Sequence, residues 1–126
     1  MFPRNAQQEL PVDRVIQATI HRWLRKACID AHDHPLRFVA LTNGGFYLAP
    51  CVGTLRVRVG AQHHDLSMSG DAAGIVATMM ALCELCGRAN HRFDDVAALG
   101  YSDHYRRLRA HAGGHAESTA ILAAVD

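Results

Sequence analysis

Ser69–Gly87 reads SGDAAGIVATMMALCELCG. From Ala72 to Cys86 only Gly74, Thr78 and Glu84 interrupt an apolar run, the longest in the chain. Ile75, Met79, Leu82 and Cys86 recur at helical spacing, and Val76, Met80 and Cys83 form the neighbouring stripe. A helix apolar most of the way round needs cover on several sides, so this stretch is the expected central core helix. It is short and interrupted for a bilayer span. Ser69 is placed to cap it, because a hydroxyl there accepts a free first-turn amide. Asp71, in that turn, is favoured by the helix dipole. Gly87 offers the left-handed residue that ends a helix.

Composition sets the outer limits. A chain of 126 residues is expected to form a single domain (1–126) with a real core. Lys and Arg number 13 against 12 Asp and Glu, a net charge of +1. That balance argues against a basic protein coating phosphates. It argues equally against an acidic mimic of DNA, which needs a large carboxylate excess. Residues 1–10 are polar and without period, the pattern of a loose leader. They lack the apolar stretch of a signal peptide, so a cytoplasmic protein with reduced cysteines is expected.

Pro11 suits a first helical position. Val12, Val15, Ile16, Thr19, Ile20, Trp23, Leu24, Ala27 and Cys28 then recur at three- and four-residue steps, an amphipathic helix. Its other face carries Arg14, Arg22, Arg25 and Lys26, for which a solvated face is the simpler reading. Asp30–Pro35 breaks the helix, and His32 and His34 read as solvated loop residues. LRFVAL (36–41) and FYLAP (46–50) are strand-like and flank Thr42-Asn43-Gly44-Gly45. Asn-Gly between two such runs signals a type I′ hairpin, with a bulge at Gly45 and Pro50 ending the second strand. Leu55, Val57 and Val59 alternate with Arg56 and Arg58, a half-buried strand. Gly60-Ala61-Gln62 is a turn, and His64–Met68 a short further strand. Sequential strands with short turns predict an antiparallel meander of three to four strands. Asn90 or Asp94 is placed to cap a helix ended by Gly100, and Ser102 to cap the next, where Tyr101, Tyr105, Leu108 and Ala112 share a stripe. Gly113-Gly114 breaks that helix, and Ala116–Val125 forms the last. The expected fold is α+β: a small meander on the central helix, an N-terminal amphipathic helix, and two to three C-terminal helices.

Two long motifs carry a resemblance. TNGGFYLAP (42–50) and SGDAAGIVATMMAL (69–82) resemble the ArdB/KlcA antirestriction family, whose pattern reads approximately LSNGGFYMAP, a strand rich in Arg and Val, then ELSADAAGIVATL. Tyr105, Leu108-Arg109, Gly114-His115, Glu117, Ile121 and the final Ala124-Val125-Asp126 match the family's C-terminal pattern. The resemblance runs from about Phe38 to Asp126. It departs at Thr42 and Gly70, and before the first strand, where Asp33, His34 and Leu36 stand in place of a Gly-Gly pair and a Trp. The resemblance implies a small protein of plasmids and mobile elements with a compact α/β fold. It also implies relief of type I restriction, the ATP-dependent cleavage of unmodified DNA, without DNA mimicry. The implied partner is the type I restriction-modification complex, engaged directly or indirectly, with DNA a weak second.

The remaining motifs favour structure over chemistry. Cys83-x-x-Cys86 lies inside the core helix, where cysteine acts as a small hydrophobe; a zinc knuckle needs a turn and a second pair. The nine histidines show no His pair with a carboxylate at catalytic zinc spacing. There is no G-x-S-x-G elbow and no P-loop. Neither an enzyme, a cofactor nor a metal is expected. The partner-binding candidates are Asn43, Gly44, Gly45, Tyr47, Ser69, Asp71 and Asp126. Tyr47, beside a rigid turn, is expected to be exposed. Asp126 places two carboxylates at a helix end, where the dipole disfavours them, so that it either frays or contacts a cationic partner. Two other classes compete: a nucleic-acid module using Arg14, Arg22, Arg25, Lys26, Arg56 and Arg58, and a Cys/His metal-binding protein.

Overall fold

The computed structural model describes residues 11–28, 34–59 and 64–126. Helix α1 (Arg14–Ala27) starts at Asp13, whose carboxylate accepts the Val15 amide at 2.7 Å. Pro11 therefore precedes the helix rather than opening it. Strands β1 (Leu36–Ala40) and β2 (Phe46–Pro50) form one antiparallel hairpin, and β3 (Thr54–Val59) and β4 (His64–Ser69) a second. Three helices follow: α2 (Gly70–His91), α3 (Asp95–Gly113) and α4 (Ser118–Val125). The leader, the start of the loop after Cys28 and the Gly60-Ala61-Gln62 turn lie outside the described residues.

The α+β fold stands, but the strands form two separate two-stranded sheets instead of one meander. The reason lies on the open edge of β2. There α2 takes the place of a third strand: Thr78 Oγ1, fully buried, accepts from the Leu48 amide at 3.2 Å and donates to the Leu48 carbonyl at 3.4 Å. A helix side chain thus satisfies backbone groups that a sheet edge leaves open. The helix comes this close because position 74 is glycine. A Cβ there would lie 2.4 Å from the Leu48 carbonyl oxygen and 2.5 Å from the Ala49 Cα. Every residue of β2 is buried as a result. In β3 the alternation holds: Leu55 and Val57 face the core and Arg56 and Arg58 face out.

Helix α2 is the hub. Ile75, Met79, Ala81 and Leu82 are fully buried, and the core also takes Ile20, Leu48, Leu108 and Ile121 from the other elements. At 22 residues α2 is long and apolar enough to cross a membrane by composition, yet most of it is packed inside the protein. Gly87 does not end it. The helix runs on to His91 and closes in a Schellman motif, with Asp94 N donating to Ala89 O and Phe93 N to Asn90 O. Phe93 holds the left-handed position, φ 59°. The CxxC is also not core: Cys83 is exposed and Cys86 half-buried, because those two positions fall on the solvent side of the helix. Glu84, on the same side, draws three neighbours together: Arg22, Arg88 at 2.5 Å, and the Trp23 indole N–H at 2.9 Å. That cluster ties α1 to α2.

After α2 there are two helices, within the two to three expected, and what differs is that Gly100 and Ser102 mark no break. Asp94 caps α3 through the Ala97 amide, and the helix passes straight through Gly100 and Ser102. One glycine costs a helix about 1 kcal/mol. Fully buried Leu108 and Ala112 further along the same helix hold it in place.

Two glycine substitutions should separate contact from propensity. Gly74→Ala is expected to cost roughly 2–4 kcal/mol, since backbone must move. Gly87→Ala, with nothing within 4 Å of the new Cβ, is expected to add about 0.5–1 kcal/mol. Urea denaturation of the two variants beside the parent checks both signs.

Candidate functional site

The densest group of polar side chains lies at the N-terminus of α2. Ser69 caps the helix as its sequence predicts, its Oγ accepting from the Ala72 amide at 3.0 Å. Glu117, just before α4, accepts from both the Ser69 amide at 2.9 Å and the Ser69 hydroxyl. Two residues on, Asp71 binds three partners. Its Oδ1 accepts from the Tyr47 hydroxyl and from Arg37 Nη2, each at 2.6 Å. Its Oδ2 lies 2.9 Å from His115 Nε2. His115 Nδ1 accepts from the Glu117 amide at 2.9 Å, so the ring proton sits on Nε2 and points at Asp71. His111 stacks on Tyr47, 5.8 Å between centroids, and meets His115 edge-on.

Each of these groups is held by its neighbours. Burial pushes the Asp71 carboxyl up, but the hydrogen bonds from Tyr47, His115 and Arg37 outweigh it and hold the group below its ordinary 3.8. The Ser69 hydroxyl and amide likewise hold Glu117 below 4.5. Burial first, and then the bond to Asp71, push the Tyr47 hydroxyl well above its usual range. Both oxygens of Asp71 and both nitrogens of His115 are engaged within the fold. A general base needs a free lone pair: His115 has none, since Nδ1 accepts the Glu117 amide and Nε2 carries the proton toward Asp71, and three of the four acceptor sites of Asp71 are taken. The cluster is a lock that joins β1, β2, the start of α2 and the segment before α4.

This corrects the reading of Tyr47: it is 4% exposed, its ring covered by His111 and its hydroxyl spent on Asp71. Tyr47, Ser69 and Asp71 do come together; the other candidates do not. Asn43, Gly44 and Gly45 form the hairpin tip, with Gly44 alone in the left-handed region (φ 90°), so the turn is not type I′. The Gly44 amide donates to Leu41 O and the Leu41 amide to Gly45 O, a three-residue loop closed by a bulge. Asn43 Oδ1 accepts the Gly45 amide, and its Nδ2 donates to Arg107 O on α3. Gly44 and Gly45 also line a groove of about 580 Å3 with Val12, Ile16, Phe38, Phe46 and Tyr101. Asp126 has its cation inside the chain: both carboxylate oxygens accept from Arg109, at 3.0 and 3.1 Å. Arg107 and Arg109 are two residues apart, about 200° around the helix, so the tip and the terminus do not share one face.

Arg37, His111, His115 and Glu117 belong to the lock without having been singled out for it. His115 and Glu117 had only their match to a C-terminal pattern to mark them. Among the described residues no group of three His, Cys, Asp or Glu side chains is placed to hold a metal ion. Of the basic residues on α1, Arg22 is paired with Glu84, and the Lys26 ammonium lies 4.8 Å from the Trp23 ring.

A small α+β protein with a two-hairpin sheet layer and a locked helix start is a defined class. The family model for antirestriction proteins matches residues 34–126, and the chain belongs to that family. Two antirestriction proteins KlcA of Escherichia coli are 40% and 37% identical to it over 111 residues, covering 87% of this chain and 74% and 76% of theirs. The uncharacterized protein YafX of Escherichia coli strain K12 is 28% identical over 120 residues, covering 93% of this chain and 74% of its own. Among solved structures, one from work on KlcA and ArdB superposes with a TM-score of 0.78 at 38% identity, covering 87% of this chain and 76% of that one. That work describes a novel fold and antirestriction activity against type I DNA restriction systems in vivo but not in vitro.

The lock sets an acid limit. A carboxyl held low in the fold adds stability above its unfolded value and loses it as pH falls toward the folded one. Stability is therefore expected to drop as pH goes below 4.5 and then 3.8. Asp71→Asn should flatten that drop and cost about 1–3 kcal/mol at neutral pH; Tyr47→Phe should cost about 1 kcal/mol. Denaturant midpoints measured from pH 3 to 7 test the sign.

Proposed function

We propose that this protein relieves type I restriction of incoming DNA in the cytoplasm as an inhibitor that performs no chemistry. The similarity to the KlcA and ArdB structure carries the reading, because that protein's activity is against type I systems in vivo and not in vitro. Activity limited to the cell favours an indirect action on the restriction complex, one needing a component or state that purified enzyme lacks. Two features of this chain support the absence of chemistry and of mimicry. The polar cluster at Asp71 is closed on itself. The net charge of +1 cannot imitate a phosphate backbone.

In this reading Tyr47, Ser69 and Asp71 act by holding the start of α2 and buried Gly45 by shaping the hairpin tip, while Asn43, Gly44 and Asp126 offer exposed contacts. The test is the plating of unmodified phage on cells with a type I system. Expression of the protein should raise plating efficiency by at least tenfold, and a folded Asp126→Ala variant should lose part of that gain. Unchanged plating by a soluble, folded protein would overturn the reading.

A further inference from the structure

An antiparallel ladder bonds every second residue of a strand to its neighbour, and the residues between turn their backbone groups to the other side. In the first hairpin the Leu41 amide donates to Gly45 O and the Cys51 amide to Pro35 O. The register sets Arg37 opposite Ala49 and Val39 opposite Tyr47, so those pairs carry the ladder between. Leu36, Phe38 and Ala40 therefore turn their amides and carbonyls away from β2. On the far side of the hairpin Thr78 satisfies the corresponding groups of Leu48. Among the described residues no hydrogen bond reaches the outward groups of Phe38 and Ala40, and β2 is the only element packed closely along β1.

Proteins blunt such edges with proline, lysine or a bulge. Between Leu36 and Ala40 β1 has none of these, and its one charge, Arg37, is turned to Asp71. The free side of β4 is treated differently: its Ser69 amide goes to Glu117, and Asp65 sets a charge on that strand. Amides and carbonyls repeating every second residue, roughly 7 Å apart, match one kind of guest, an extended backbone. The face beside the edge sets the guest's side chains. Phe38 and Ala40 line the groove of about 580 Å3, together with Val12, Ile16, Phe46 and Tyr101. An added strand holds its side chains about 5 Å from those of Phe38 and Ala40 on that face, so every second residue of the guest meets an apolar surface. A second copy's β1 does not supply them, because its Leu36 and Phe38 are packed against its own core.

We propose that the outer edge of β1 takes up an extended segment of another protein as a third strand, with apolar side chains at alternate positions seated in the groove. Main-chain bonds at Phe38 and Ala40 hold the guest, and the groove selects its side chains. The docking is independent of the antirestriction reading.

The probe is a displayed library of random dodecapeptides, selected on the folded full-length chain, with the winning peptide then synthesised. Winning sequences should alternate apolar and polar residues. Amide hydrogen exchange gives the direct readout. In the free chain the Phe38 and Ala40 amides should exchange at least tenfold faster than those of Arg37 and Val39. Saturating peptide should slow Phe38 and Ala40 at least tenfold and leave the Leu48 amide unchanged. Ala40→Pro deletes an outward donor at an exposed position and should weaken peptide binding at least tenfold. Ala40→Lys, which blunts the same edge without touching the backbone, carries the test if the proline lowers the melting temperature. Four results would each overturn the proposal: no binder in the library, a binder that leaves the Phe38 and Ala40 amides unchanged, binding indifferent to the variants, or slow exchange at those amides without peptide. Slow exchange in dilute protein would mean that the chain covers its own edge, and slowing that grows with protein concentration that a second copy does.

Discussion

Helix α2 touches β2 backbone to backbone, and the rest of the molecule is arranged around that contact. With only hydrogen on Gly74, the Leu48 carbonyl and the Ala49 Cα reach the helix surface. One turn on, Thr78 completes the hydrogen bonds of Leu48 from the helix side. A strand in that place would have given a continuous sheet. A helix there ends the first sheet at two strands, buries β2 on both faces, and leaves β3 and β4 to pair with each other. The DAAGIVAT segment is thus a docking surface for backbone, which an apolar helix of larger residues would not be.

The lock at Asp71 follows from the same approach. With α2 against β2, the first turn of the helix lies beside Tyr47 and across from Arg37, and its dipole favours a carboxylate there. His115 and Glu117 close the other side. The result has the ingredients of an acid–base site turned inward: the Tyr47 hydroxyl, the His115 ring and Arg37 all meet the Asp71 carboxylate inside the fold. Polar clusters of this kind specify one arrangement of their elements, because removing a single member strands the others in partly buried surroundings.

Much of this was legible from residue pattern alone. The core helix, its Ser69 cap, the hairpin and the alternation in β3 follow from local spacing. What local spacing could not supply was the identity of the partner across each contact. Glu84 interrupts an apolar run, and only the packing of α1 shows that it gathers Arg22, Trp23 and Arg88. Tyr47 lies in a strand beside an exposed turn, and only α2 and α3 bury it. Gly87 and Gly100 look like helix ends, yet tertiary burial on either side overrides a cost of about 1 kcal/mol. The true end of α2 falls at Phe93, a residue type that propensity would place last at a left-handed position. Two-residue turn chemistry likewise misjudged the hairpin tip, where a side chain from Asn43 and the neighbouring α3 shape a longer loop.

The cap of α2 is assembled from distant parts of the chain. Ser69 and Glu117 are 48 residues apart, and Asp71 and His115 44. During synthesis the hub helix leaves the ribosome well before the residues that finish its first turn. Until His115 and Glu117 arrive, the Asp71 carboxylate has only Tyr47 and Arg37, and the Ser69 amide lacks its carboxylate acceptor. The central helix is thus made before α3 and α4 but is completed only by the segment that joins them.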